Sequence, residues 1–217
     1  MIAAADFADA YVEAVLAGSR QRARAVVDEA RAEGVDIRSL YLHIFQPALR
    51  EVGRLWQENR ITVADEHLAT AITQALMAQL YGEMFLAAGR QQRTLLAACV
   101  DAERHEVGLR MICDLLEMEG WDTTFLGATV PSDSLAAMVR ERRPDVVALS
   151  VSLASHVPRL TRAIADLRGA LGQETPVIVV GGRPFIDQPS LAARVNADIV
   201  ALDADEAVER LKEHFEV

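Results

Sequence analysis

Lysine is almost missing from this chain. Of its 22 basic residues only Lys212 is a lysine, and 32 acidic residues bring the formal net charge to −10. No basic stripe, helix-turn-helix pattern or zinc-finger spacing is present, so the phosphate-neutralising route to direct nucleic-acid binding is excluded. Two cysteines, Cys99 and Cys113, in 217 residues are too few for a disulfide framework, and both sit in apolar sequence, where they read as small buried side chains. No apolar run reaches membrane-spanning length without a charge, so no membrane association is expected. The opening residues carry no positive region and meet Asp6 early, unlike a secretory signal. A cytoplasmic protein is the expectation. The first strand–helix turn has no G-x-G-x-x-G, which argues against a dinucleotide site.

What is present divides in two. Residues 1–90 read as helix throughout. Apolar residues recur at helical spacing from Ala3 to Ala17, and Gly18 closes that run. Ser19 is the expected N-cap of a second helix reaching about Glu33. Asp36 caps a third, Ile37 to about Glu58, in which Pro47 predicts a kink. Thr62 caps a fourth, with Asp65 and Glu66 in its first turn, running to about Ala88. Four helices joined by short loops predict a four-helix bundle. A short polar segment from Gly89 to Arg93 marks the domain boundary.

Residues 94–217 alternate short Val/Leu/Ile-rich runs with amphipathic ones. Strands are expected at 94–100, 123–126, 145–150, 176–180 and 198–202, and helices at 106–119, 132–143, 157–170, 188–196 and 204–214. That alternation predicts a parallel sheet covered on both faces, and five strands suit the Rossmann-like, flavodoxin-like order 2-1-3-4-5. In such a sheet the ligand crevice opens where strands one and three end. Asp101-Ala-Glu-Arg-His-Glu-Val-Gly108 follows strand one. His105 there is a candidate metal ligand, Glu103 can hold its second ring nitrogen, and Gly108 lets a flat, bulky ligand approach the backbone. Ser150 and Ser152 end strand three, where a response regulator would carry an Asp. Gly181-Gly182 follows strand four.

Glu103-x-His105-x-x-Gly108 resembles the D/E-x-H-x-x-G signature of cobalamin-binding domains. The resemblance implies that His105 replaces the cofactor's benzimidazole as the lower cobalt ligand. The displaced nucleotide tail then passes Ser150, Ser152 and the Gly181-Gly182 pair. Ser150 matches the Ser of the family's Ser-x-Leu pattern; Ser152 stands where the Leu is expected. A further group behind the ligand His falls near Ser155 or His156, without a choice between them.

The helical part carries Trp56 followed at fixed spacing by Glu66-His67. Trp-x9-Glu-His is similar to the signature of CarH-type adenosylcobalamin-dependent light sensors, and implies that Trp56, Glu66 and His67 surround an upper adenosyl group while the bundle caps the upper corrin face. Two features depart from that family. The chain starts at the bundle, without the MerR-type DNA-binding domain, so a separate protein partner (a transcription factor or signalling protein) or self-association is expected to carry the signal. Gln57 stands where the family has a His that ligates cobalt after illumination. The expected function is therefore a light sensor and not an enzyme. The alternatives are a corrinoid methyl carrier, which would use methylcobalamin, and a cobalamin-binding module with no light role. The carrier's usual loop, Asp-x-His-x-x-Gly-Lys, differs here at Glu103 and Leu109.

Overall fold

The computed structural model describes residues 4–86 and 92–216. It divides into two compact units, 1–86 and 87–217, each described by itself. The expected end of the fourth helix at Ala88 and the start of the polar boundary at Gly89 lie outside the described residues.

The first unit is helical. Helices α1 (Ala4–Leu16) and α2 (Arg20–Ala32) are followed by one continuous rod made of α3 (Ile37–Leu40), a π-helical turn Tyr41–Phe45 and α4 (Gln46–Gln57). Helix α5 (Val63–Leu80) ends in a 3-10 turn, Tyr81–Leu86. The expected caps are in place. Ser19 accepts from the Arg22 N–H at 3.2 Å and Asp36 from the Ser39 N–H at 2.7 Å, while Thr62 and Asp65 form a reciprocal capping box, each satisfying helix donors that have no partner within the helix. Pro47 acts differently from a simple kink. It has no N–H to offer its own helix, and just before it the Gln46 N–H bonds the Tyr41 carbonyl, five residues back. The π-helical turn absorbs the register change. The core of this unit holds Tyr11, Tyr41 and Phe45, with ring centroids 5.1 Å apart for Tyr11–Phe45 and 5.7 Å for Tyr41–Phe45. The buried Tyr11 hydroxyl donates to Thr73 Oγ1 at 3.0 Å, and Thr73 donates to the Ala69 carbonyl, so no polar group of this set is left without a partner.

The second unit is a five-stranded, all-parallel sheet of order β2-β1-β3-β4-β5. Its strands are β1 (Thr94–Cys99), β2 (Asp122–Phe125), β3 (Val146–Ser150), β4 (Val177–Gly181) and β5 (Ile199–Ala201), joined by α6 (Val107–Met118), α7 (Ser132–Arg142), α8 (Val157–Leu171) and α9 (Arg183–Asp187) and followed by α10 (Ala204–Phe215). Both central strands are buried along nearly their whole length, as apolar runs without polar alternation require. Leu96, Ala98, Val147, Leu149, Ile178 and Val180 pack with Leu135, Val139, Leu160 and Ile164 of α7 and α8. Helix α6 lies against β1 and α10 against α6. Between β4 and β5 the helix expected at 188–196 gives way to the short α9 and a 3-10 turn, Pro189–Arg194. Pro189 disfavours helical geometry at the residue before it, and Gln188 sits at φ −141°, ψ 82°. Register places Ser150 beside Cys99 on one side and Gly181 on the other, so the ends of β1, β3 and β4 meet along one edge.

Candidate functional site

Glu103 is the centre of that edge. It is a fully buried carboxylate in the loop between β1 and α6, where the chain turns sharply enough to place Ala102 at φ +66°. Its two oxygens face two different segments. Oε1 accepts from the backbone N–H of His105 at 3.0 Å and from His105 Nδ1 at 2.5 Å. Oε2 accepts from the backbone N–H groups of Ser152 at 2.8 Å and Leu153 at 3.4 Å, and from His156 Nδ1 at 2.9 Å. Burial by itself would raise the Glu103 pKa. The hydrogen bonds from the His105 ring and N–H, from Ser152 and from His156 outweigh it and hold the carboxyl well below the usual carboxylate range, because each favours the charged form.

An ionised carboxylate only accepts, so both imidazoles present Nδ1–H to it. In His105 that leaves Nε2 as the ring atom with the lone pair a metal needs, and the side chain is 35% exposed. Beneath the loop the Cys99 thiol donates to the His105 carbonyl at 3.6 Å. Burial, with smaller contributions from Glu103 and Glu106, pushes that thiol up to about 12, which keeps it protonated and unreactive. Gly108, in the first turn of α6, is exposed, and a Cβ built on it would meet no heavy atom within 4 Å. An oriented imidazole beside open backbone suits a metal held in a broad planar macrocycle. Among the described residues no three His, Cys, Asp or Glu side chains are clustered as a metal-ion site.

The paired glycines have a reason within the protein itself. Gly182 is at φ +125°, and a Cβ there would lie 1.7 Å from the Val151 carbonyl oxygen; at Gly181 it would lie 3.0 Å from that of Ala201. The chain crosses the ends of β3 and β5 too closely for a side chain. Ser150 is half-buried at the end of β3, and Ser152 contributes its backbone N–H to Glu103. His156, left undecided against Ser155 by the sequence, is the residue behind Glu103; Ser155 is exposed.

Family models described as B12 binding domain match residues 8–81 and 93–212. The chain belongs to the B12-binding domain family. Cobalamin is its cofactor. Among relatives of this cobalamin-binding chain, the HTH-type transcriptional repressor CarH of Myxococcus xanthus is 32% identical over 80% of the chain and 58% of its own length; the chain thus spans little more than half of that relative. The trimethylamine corrinoid protein of Methanosarcina barkeri is 23% identical over 92% of each chain. The solved monomethylamine corrinoid protein of the same organism superposes with a TM-score of 0.84 at 17% identity, over 98% of this chain and all of its own; that likeness speaks for the fold. Among the described residues no helix is long and apolar enough to cross a membrane.

In the helical unit the structure places the other candidates at one end of two helices. Trp56 is half-buried in the last turn of α4, followed by the exposed Gln57. Glu66 lies in the first turn of α5 with its side chain 13% exposed; it accepts from His67 Nδ1 at 2.5 Å through Oε2 and from the Thr70 hydroxyl at 3.0 Å through Oε1. Glu66 and His67 are therefore a bonded pair, with Glu66 also braced from its own helix.

Proposed function

We propose that this cobalamin-binding protein is a light sensor that takes adenosylcobalamin base-off, with His105 below cobalt and Trp56, Glu66 and His67 against the adenosyl group. The observation that carries the reading is the Trp56, Glu66 and His67 set in the helical unit: a half-buried indole and a carboxylate braced by its neighbours. An adenosine offers an aromatic face for the first and hydroxyl and amine groups for the second, and a methyl group offers neither. The similarity to the CarH repressor supports the same assignment. When bound, adenosylcobalamin supplies a cobalt–carbon bond that green or near-ultraviolet light breaks. The residues of the chain do the rest. Glu103 orients His105, Ser150, Ser152 and the Gly181-Gly182 turn border the nucleotide tail, and Trp56, Glu66 and His67 distinguish the two upper-ligand states. A ligand shifts a conformational equilibrium only through such differential contacts. The output is a change in assembly or in binding to a separate regulatory protein, in the cytoplasm, and no catalysis is required of the chain. Gln57 is a poor cobalt ligand beside imidazole, so water or another His takes that place in the illuminated state.

A methyl carrier is the second reading, favoured by the end-to-end match with the trimethylamine corrinoid protein. Glu103 and Leu109 depart from that family's Asp and Lys, and the Trp56, Glu66 and His67 arrangement would have no role. Absorption spectra of the adenosylcobalamin-loaded protein before and after green illumination, with gel filtration of both samples, decide between them. A light-driven spectral change accompanied by a shift in elution volume is expected. Retention of methylcobalamin only, or photolysis with no change in elution, would sink the sensor reading.

A further inference from the structure

Thr129 holds a backbone conformation that its side chain opposes. It lies in the loop between β2 and α7, at φ +54°. Of the described non-glycine residues at positive φ it alone is β-branched, and for such a residue the left-handed region is a genuine outlier, because two heavy atoms on Cβ crowd the backbone. Glycine or asparagine would sit there at little of that cost. The loop allows no other path. The Leu126 N–H bonds the Ala97 carbonyl at 2.8 Å, the Cys99 N–H the Gly127 carbonyl at 2.9 Å and the Val130 N–H the Cys99 carbonyl at 3.0 Å. Between them the Thr129 N–H bonds the Glu103 carbonyl at 2.9 Å. Strain of this kind persists only where the surroundings over-determine it, and it gathers at ligand sites. Thr129 is also exposed, and among the described residues its hydroxyl has no hydrogen-bond partner. The side chain therefore strains the loop and gives the chain no polar contact in return.

We propose that Thr129 is a cobalamin-binding residue whose hydroxyl pairs with a carboxamide on the rim of the corrin. The inference rests on the reading of His105 as the lower cobalt ligand, because Thr129 is fastened to the carbonyl of Glu103, two residues before His105 in the same loop. The corrin rim carries acetamide and propionamide arms, each with a carbonyl that accepts and an NH2 that donates. A hydroxyl does both, so it fits such an arm in either orientation. The loop is bonded to β1 and to the turn after it, so the hydroxyl is held in place before the cofactor arrives, and pairing does not have to order it.

The test compares wild type with Thr129→Val, Thr129→Ser, Thr129→Gly and His105→Ala. It reads the thermal melt of each cofactor-free protein, the dissociation constant for adenosylcobalamin in the dark, and the axial nitrogen splitting of bound cob(II)alamin in the electron paramagnetic resonance spectrum. Valine keeps the shape and the strain and removes only the hydroxyl. Thr129→Val should melt as the wild type does and bind roughly two- to tenfold more weakly, the worth of one neutral hydrogen bond, with the nitrogen splitting unchanged. Thr129→Ser restores the hydroxyl and should bind as the wild type does. Thr129→Gly should melt no lower than the wild type, since glycine takes φ +54° freely, and should bind as weakly as the valine variant. Wild-type affinity in Thr129→Val or in Thr129→Gly would overturn the proposal, as would equal weakening in the serine and valine variants. Nitrogen splitting in wild type that His105→Ala loses upholds the His105 assignment, and a failure of the affinity results then falls on Thr129 alone. A wild-type spectrum without axial nitrogen would overturn the assignment of His105 and this proposal with it.

Discussion

Replacing Gly108 by alanine separates folding from cofactor binding at a single atom. The new Cβ has no heavy atom of the protein within 4 Å, so it causes no clash inside the chain. Gly108 lies within α6, where alanine is preferred over glycine by up to about 1 kcal/mol. In a domain of this size that stabilisation raises the melting temperature by roughly 2–4 °C. On the proposed assignment of His105 as the lower cobalt ligand, the same atom would stand between the α6 backbone and a flat cofactor. A corrin held away by that methyl would then be bound more weakly by an imidazole that Glu103 keeps in place. A loss of about 1.4 kcal/mol is tenfold in the dissociation constant, and at least that is expected, with Gly108→Leu worse. Thermal melting of the cofactor-free protein and spectrophotometric titration with adenosylcobalamin measure the two effects independently. Unchanged affinity would show that the cofactor does not lie over Gly108. A lowered melting temperature would show that the space above it is not open.

The glycine at 182 behaves in the opposite way: Gly182→Ala drives a Cβ to 1.7 Å from the rigid Val151 carbonyl at φ +125°, so a loss of about 4 kcal/mol or more and no cooperative melt of the second unit are expected, with Gly181→Ala milder. Glu103→Gln places an amide NH2 against donors on one side or the other, and is expected to cost about 1.5–3 kcal/mol. Because the Glu103 pKa is lowered on folding, its carboxylate contributes stability above the unfolded value of about 4.3 that is lost as pH falls toward the folded one; acid titrations of the melt should be flatter in Glu103→Gln, and a wild-type-like acid limb would contradict this. Cys99 makes the converse prediction. Its thiol is raised to about 12 from 9.0, so stability is intact below pH 9 and declines as pH rises from there toward 12, and iodoacetamide should modify Cys99 only after denaturation. Alkylation of Cys99 in the native protein at neutral pH would refute its burial.

The sheet was legible because each strand is a short apolar run ending in polar or glycine residues, and right-handed crossovers leave few orders for five such strands. His105 and Glu103 were legible for a local reason: the ring and its carboxylate are two residues apart in one loop, so the contact is written into a single stretch. His156 was legible only as one of two positions, with Ser155, and only by resemblance, since a lone His in a loop has no periodicity and its partner lies 53 residues upstream. Only the register of β1 against β3 brings them together. The π-helical turn at Tyr41–Phe45 escaped for another reason. Pro47 announces that the hydrogen-bond ladder must break, but not whether the rod bends or slips by one residue. The helix expected at 188–196 failed where apolar spacing outweighed the constraint Pro189 puts on Gln188.

The two oxygens of Glu103 also tie two distant crossovers to each other. One serves the crossover after β1 and the other the crossover after β3, segments that share no local structure and meet only when those two strands have paired. An unfolded or half-assembled chain can present an imidazole to cobalt but cannot fix its direction. With His105 as the proposed lower ligand, cobalamin would bind best to molecules whose central strand pair is complete, and by mass action would stabilise them by RT ln(1 + [L]/Kd). The cofactor concentration would then be a term in the folding equilibrium of the second unit, and cofactor depletion should be felt as a change in how long the chain survives.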